Sequence, residues 1–417
     1  MRFRGAGAPV MGGSFVVERG TVRLRAMLAG VMVAALAAVA GPVAPVALAA
    51  TTTCVVTDAV SVTYPDLQSA VDAAPAGATL TVRGACPGAT IGRTLTLVGI
   101  KVAGQRAVLD GAGTGRVLHV TGGTLTLQRL MVKRGLAVIP EDPAPVEAVP
   151  LIANAGAGVL VEAPGKLVLK DARVFASTAG RGGGIASTGK VTLIGNSSVD
   201  HNTAEQGGGI WMGPGAILQV TGVSRLHHNT ATVDGGGAWI GAGGRALLSA
   251  GASVFGNAAD GQGGGIHLSA ARAVLDGSAT VRENSAGSGG GIFGEADGTP
   301  SSVLLKGAAA VRANTTDTEA AAIFLEGNLV MDGTATVTGH DTSSLPDQGV
   351  IEFRADSATY GFTMRRGSTL TGNSAGDGGA AIYVIPYCGG GVDLVGVASR
   401  ATDNAPTLLV TTAMGGC

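Results

Sequence analysis

Aromatic residues are scarce here: Phe, Tyr and Trp make up 3% of the 417 residues. That excludes a globular core built around large rings. Charge is thin too, at 14%, and it balances to −1. No basic stripe follows a phosphate backbone, so nucleic acid is not an expected partner, and there is no acidic tail. Cysteine is limited to four residues, without the Cys-x-x-Cys spacing that marks a zinc site. Helical periodicity is missing from most of the chain. Glycine, at 70 residues, is in excess and suits a fold with many tight turns.

Repetition dominates the rest. Seven times, about once per 27 residues, an apolar residue, two variable residues and a small polar one lead into a glycine-rich step and another apolar residue. Clear copies read VDHNTAEQGGGIWM from Val199, LHHNTATVDGGGAWI from Leu226, VFGNAADGQGGGIHL from Val254 and VRENSAGSGGGIF from Val281. Others start at Val174, Val311 and Leu370. Self-similarity at such a period marks a solenoid. A stacked array grows along one axis, so this length need not mean several domains.

Asn202, Asn229, Asn257, Asn284 and Asn314 are spaced by 27, 28, 27 and 30 residues. In a parallel stack with a rise of about 4.8 Å per coil, they align as a ladder, each amide donating to the next carbonyl. Asn also suits the left-handed conformation of a coil corner. His340 falls 26 residues after Asn314 and reads as a substitute rung of this ladder. The glycine runs allow positive φ or close backbone approach. In later copies, Ala320-Ala321-Ala322 and Gly378-Gly379-Ala380 make close approach the better reason at some positions. Ile210, Ala238, Ile266 and Ile292, after the runs, are expected to point inward.

The Val/Leu-x-x-Asn step followed by Gly-Gly-Gly-Ile resembles the repeat of chlamydial polymorphic membrane proteins across residues 174–384, with Val or Leu where that family has Phe. Upstream, LQSAVDAAPAGATLTV and AVLDGAGTGRVLHV resemble the opening coils of secreted pectate-lyase-like proteins. Both resemblances imply an all-β chain forming a single right-handed parallel β-helix of about a dozen coils. The membrane barrel of the first family is not expected here, so the resemblance carries the fold and not the surface anchoring.

Residues 1–49 read as an export signal. Arg23 and Arg25 precede an apolar run at 27–41, and Ala47-Leu48-Ala49 offers a cleavage site. The run is short for a membrane span, so a cleaved signal is preferred over an anchor, with a secreted or cell-surface location and no transmembrane span in the mature chain. The β-helix then occupies 50–417, with caps at 54–90 and 385–417. In the first cap a helix begins at Pro65-Asp66, with Leu67, Ala70, Val71 and Ala74 on one face, and stops at Pro75 and Gly77. Residues 138–153 break the rhythm with four prolines and the acids Glu141, Asp142 and Glu147. They read as an inserted loop, either a solvated excursion or part of a binding face. The four cysteines allow three pairings; Cys54–Cys86 and Cys388–Cys417 are favoured because each staples one terminus.

No catalytic residue or cofactor is assigned. Polysaccharide-active β-helices imply a cation site of clustered acids with a basic partner, or paired aspartates with Gly-His-Gly, and neither set is intact here. Asp200 and His227 share one column, and His201, His228 and Glu283 share the next. That set reads as a weak metal or acid–base candidate, or as exposed turn residues free to vary. The residues before each glycine run (Arg181, Gln206, Asp234, Gln262, Ser288, Glu319 and Asp377) form a polar edge. Trp211 and Trp239, equivalent on adjacent coils, are expected to lie side by side facing solvent, as a sugar platform or as self-stacking cover. The preferred function is non-enzymatic binding or surface interaction, with an extracellular polysaccharide or cell-surface protein as partner. A polysaccharide lyase or hydrolase is the alternative, and an envelope component a third.

Overall fold

The computed structural model describes residues 53–137, 152–345, 348–356, 359–376, 380–387, 390–404 and 408–411. The leader at 1–49, most of the 138–153 insertion, Asp377 of the polar edge, and Cys388 and Cys417 lie outside the described residues. Each coil follows one course. A strand such as Lys190–Ile194 turns a corner into Ser198–Asp200, then a short arm Thr203–Gln206, then the glycine run, then Ile210–Met212, and Ile217–Val220 begins the next coil. Stacking these coils builds long sheets of 14, 12 and 12 strands, and the arms add a fourth of seven. We number the three long sheets by the course of the coil. Apart from an antiparallel start at Val55–Thr57 and Thr63–Tyr64, the strand pairs of the long sheets are parallel. The chain is a parallel β-solenoid.

Strand alternation decides what goes inside. Leu218, Leu226 and Ile210 come from the three sheets, and each is at most 1% exposed. Val199, Leu226, Val254, Val281 and Val311 stand over one another in the second sheet. Ile210, Ala238, Ile266, Ile292 and Ile323 do so in the third. Each buried Val, Leu or Ile contributes about 1.5–3 kcal/mol, so the aliphatic column holds the coil together without aromatics.

The asparagines line the inner corner between the second sheet and the arms. Each side-chain amide donates to the next Oδ1, from Asn202 to Asn229 and Asn257 at 3.0 Å per step, then to Asn284 and Asn314 at 2.9 Å. Each Oδ1 also accepts the backbone N–H of the preceding rung's Asn. The second amide hydrogen goes to a carbonyl such as that of Val199. His340 continues the series, meeting the Asn314 N–H at 3.3 Å through Nδ1 and the Val311 carbonyl at 3.1 Å through Nε2.

One expectation is corrected here. The left-handed residue at this corner is the one before each asparagine: His201, His228 and Glu283 have φ of 54°, 53° and 55°. The ladder needs the asparagine inside, so the bend falls on the preceding residue, whose side chain leaves the coil. The glycine runs divide in the same way. Gly207 has φ 62°, whereas a Cβ on Gly208 would lie 2.3 Å from the Thr230 carbonyl oxygen of the next coil.

At the N-terminal end, Asp66 caps the helix Leu67–Ala73 by accepting the Ser69 N–H at 2.8 Å. Leu67, Ala70 and Val71 join the buried cluster of the coils. Cys54 and Cys86 form a disulfide. Among the described residues no helix is long and apolar enough to cross a membrane.

Candidate functional site

In each three-residue strand the middle residue of an inward pair points out of the coil. On the third sheet this gives an unbroken column: Leu160, Ala186, Trp211, Trp239, His267, Phe293, Phe324, Glu352 and Tyr383. Trp211 and Trp239 stack with centroids 5.5 Å apart and planes within 4°. Phe293 and Phe324 stack at 4.6 Å. His267 meets Trp239 and Phe293 edge-on, at 6.1 and 5.3 Å.

The solvent-facing position expected of Trp211 is corrected. It stands outside the coil but is only 4% exposed, covered by Ile152, Ala155, Leu160 and Ala186. Ile152 is where the insertion rejoins the coil. The Arg116 guanidinium fixes that return by donating to the carbonyls of Ile152, Ala153 and Ala155 at 3.1, 3.2 and 2.9 Å. The arm adds cover because the chain doubles back through the glycine run: a Cβ on Gly235 would lie 2.9 Å from Trp239 Cβ. Trp239 remains partly exposed.

The cover traps polar atoms without partners. Trp211 Nε1, both ring nitrogens of His267 and both carboxyl oxygens of Glu352 lack a well-aligned hydrogen-bond partner among the described residues. His267 stands between two acids, with Nδ1 3.9 Å from Asp234 and Nε2 3.7 Å from Glu295. Burial drives its pKa down to about 3, so the ring is neutral. Burial raises the Asp234 carboxyl above its ordinary value. It does the same to Glu295, helped by the charges of Asp234, Glu326 and Asp297. Glu352 is pushed up to about 8, by burial first and then by the charge of Glu319. Alongside, Arg354 pairs with Glu326.

Beside this column runs the polar edge. Arg181, Gln206 and Asp234 bridge in register, as do Gln262, Ser288 and Glu319, and all six are half-buried. Asp234 Oδ1 accepts the Gln262 N–H at 2.8 Å, and the Ser288 hydroxyl donates to Glu319 at 3.3 Å.

The histidine cluster lies on the second sheet. Asp200 and His227 are paired in register. The fully buried Asp200 carboxylate accepts Arg173 Nε at 2.9 and 3.1 Å, the Ser198 hydroxyl at 2.8 Å and His201 Nδ1 at 2.9 Å. Burial opposes its charge, but these donors outweigh it and hold its pKa low. His227 is lowered to about 4, mainly by burial. It stacks on Phe255 at 4.9 Å. His201 and His228 stack at 5.3 Å on the exposed corner. Glu283 is taken by Arg282 Nη1 at 2.6 Å. The three weak metal candidates therefore do not converge, and among the described residues no group of three His, Cys, Asp or Glu is placed to hold a metal.

His267 and Glu352 escaped the sequence reading. Repeat register was the available signal, since each follows the inward apolar residue as the tryptophans do. Arg173 carried no signal, because it lies outside the repeated motif.

No known family matches this chain. No curated protein is significantly similar to it, and no solved structure matches it. The fold therefore rests on this structure, and its function on the chemistry of these columns.

Proposed function

We propose that the chain is an exported, non-enzymatic binding protein that holds an extracellular polysaccharide along the polar edge beside Trp239. The observation that carries this reading is the register of the edge. Six half-buried polar residues recur at the pitch of the coils, about 4.8 Å, beside an indole left partly open. A repeating polymer can meet such a row with repeated hydrogen bonds, and a partly open indole offers a face to a sugar ring. The Cys54–Cys86 disulfide supports an oxidising compartment.

The test is a glycan array probed with the full chain, beside a product assay on acidic polysaccharides. Saturable binding without turnover, weakened in Asp234→Asn and Gln262→Ala, supports the reading. Binding unaffected by both variants would remove it.

One observation favours an enzyme acting on acidic polysaccharide. Glu352 keeps its proton up to about pH 8, as a general acid working at neutral pH must. Its side chain is fully buried, which argues against substrate access. Product formation abolished by Glu352→Gln would establish this second reading.

A further inference from the structure

The charge of the chain nearly balances, but the fold sorts it onto two sides of the coil. Five successive strands of the first sheet, Lys166–Lys170, Lys190–Ile194, Ile217–Val220, Arg245–Leu248 and Arg272–Leu275, hold no Asp or Glu. Their first residues stand over one another in register. Lys166, Lys190, Arg245 and Arg272 thus form a row broken only by Ile217. The sequence conceals this row, because its members lie 24, 27, 28 and 27 residues apart. Three of the four cations are exposed, and Lys190 is half-buried.

The arms carry the opposite charge. Their seven strands contain no Lys or Arg. Glu205 and Asp317 are exposed on them, and the exposed Asp260 directly follows the strand Ala258–Ala259. Among the described residues, none of these four cations and three acids makes an ion pair. Elsewhere on the surface opposite charges meet within the fold, as Lys306 meets Asp276 at 2.9 Å. The arms come between the second and third sheets in the course of the coil, so they lie across it from the first sheet.

Both rows run along the stack of coils with the same pitch, about 4.8 Å. Two copies laid side by side therefore present commensurate rows of opposite sign. Each face also offers some apolar surface. Ile217, Leu247 and Val274 are half-buried on the first sheet, and Val233 on the arms is 44% exposed.

We propose that the cation row of the first sheet docks on the acidic arms of a second copy of this chain. Complementary potentials of this kind set partner choice and register. The contact is heterologous, because each face lacks the charge that the other bears. It leaves one face free at each end, and so it repeats into a lateral row of solenoids. An exposed ion pair is weak by itself, so the row forms only where several pairs act together and salt is low. The contact involves no sugar and stands apart from the polysaccharide reading.

The test is sedimentation velocity of the full chain over a range of concentrations. It is run at low salt and at about 1 M salt, where the screening length falls to about 3 Å. Assemblies that grow with concentration at low salt and dissociate to monomer at high salt are expected. Combining Lys166→Glu, Arg245→Glu and Arg272→Glu should leave a monomer. So should combining Glu205→Lys, Asp260→Lys and Asp317→Lys. All six positions are exposed, so both triple variants should melt close to the parent. Mixed in equal amounts they should assemble again, since one is acidic on both faces and the other basic on both. A monomer at low salt, assembly indifferent to salt, assembly kept by either triple variant alone, or a mixture that stays monomeric overturns the proposal. Phosphatidylglycerol vesicles form a second arm: their capture of a chain that itself stays monomeric would assign the cation row to an anionic membrane instead.

Discussion

The Asn229 side chain donates to Asn257 Oδ1 at 3.0 Å, and the same oxygen takes the Asn229 backbone N–H, also at 3.0 Å. One acceptor thus satisfies two buried donors of the neighbouring coil. Asn257→Ala leaves both unpaired at a site 1% exposed, and each unpaired donor costs about 1–3 kcal/mol. Thermal unfolding should show a large loss, about 2–5 kcal/mol. Further along the chain Asn404 Oδ1 accepts the Asn373 side-chain amide at 3.0 Å in the same way. Asn404 is half-exposed, however, so Asn404→Ala should cost clearly less. Equal losses would show that the ladder does not act through burial.

Arg173→Ala tests the second sheet. It strips the main donor from Asp200, which is fully buried, and an uncompensated buried charge is costly. A loss of about 2–4 kcal/mol is expected at pH 7. Arg173 and the other donors hold the folded pKa of Asp200 below its unfolded value. Its contribution is therefore present above the unfolded pKa of about 3.9 and fades as pH falls through the folded one. The gap between variant and parent should close in acid, as read by urea unfolding across pH.

Glu352 and His267 bend the pH profile from opposite sides. His267 titrates at about 3 in the fold against 6.5 ordinarily, so the unfolded chain binds the proton first and stability drops as pH falls from 6.5 towards 3. His227 and His340, both lowered to about 4, add to this limb. Glu352 titrates at about 8 against 4.5, so the folded chain keeps a proton the unfolded chain has lost. Stability then drops as pH rises from 4.5 to 8. A maximum between pH 4.5 and 6.5 is expected. Glu352→Gln should flatten the alkaline limb by up to about 4 kcal/mol, and His267→Phe should soften the acid limb. Unfolding midpoints that are flat in the parent would refute both assignments.

The two tryptophans report on their own cover. Trp211 and Trp239 are the only two in the chain. Trp239→Phe leaves Trp211, whose fluorescence should be blue-shifted and poorly quenched by acrylamide. Trp211→Phe leaves Trp239, which should be quenched more readily. The reverse order would mean that Ile152 and Ala155 do not cover Trp211.

Reduction should weaken the N-terminal end. The Cys54–Cys86 bridge closes 32 residues, for which about 2–4 kcal/mol is typical. Hydrogen exchange in reductant should rise first in residues 54–91, with the central coils unchanged.

The inner architecture was legible because it depends on residue identity. Asn202 through Asn314 recur as the same residue, and Val199 through Val311 as the same type, so spacing alone aligned them. Asp66 and Leu67 announced the helix start by ordinary capping chemistry. The outer surface was less legible because its columns mix types. His267 and Glu352 share the Trp239 column, yet nothing in a row of Trp, His, Phe and Glu declares a common position. The cover on Trp211 comes from Ile152, outside the repeat, and period counting cannot supply it. The bend beside Asn229 was placed one residue late because His228, which carries it, gives no glycine signal.

The outward corner one residue before each inner ladder position has a use of its own. Arg134, Ala176, His201, His228, Glu283, Ala313 and Asp403 all occupy it with φ of 50–55°, and all are exposed. The rungs of the asparagine ladder bond to one another and to backbone groups, not to these side chains. The molecule thus behaves as a ruler with replaceable pegs, one every 4.8 Å or so. Selection, or an engineer, can rewrite the pattern of pegs without redrawing the ruler.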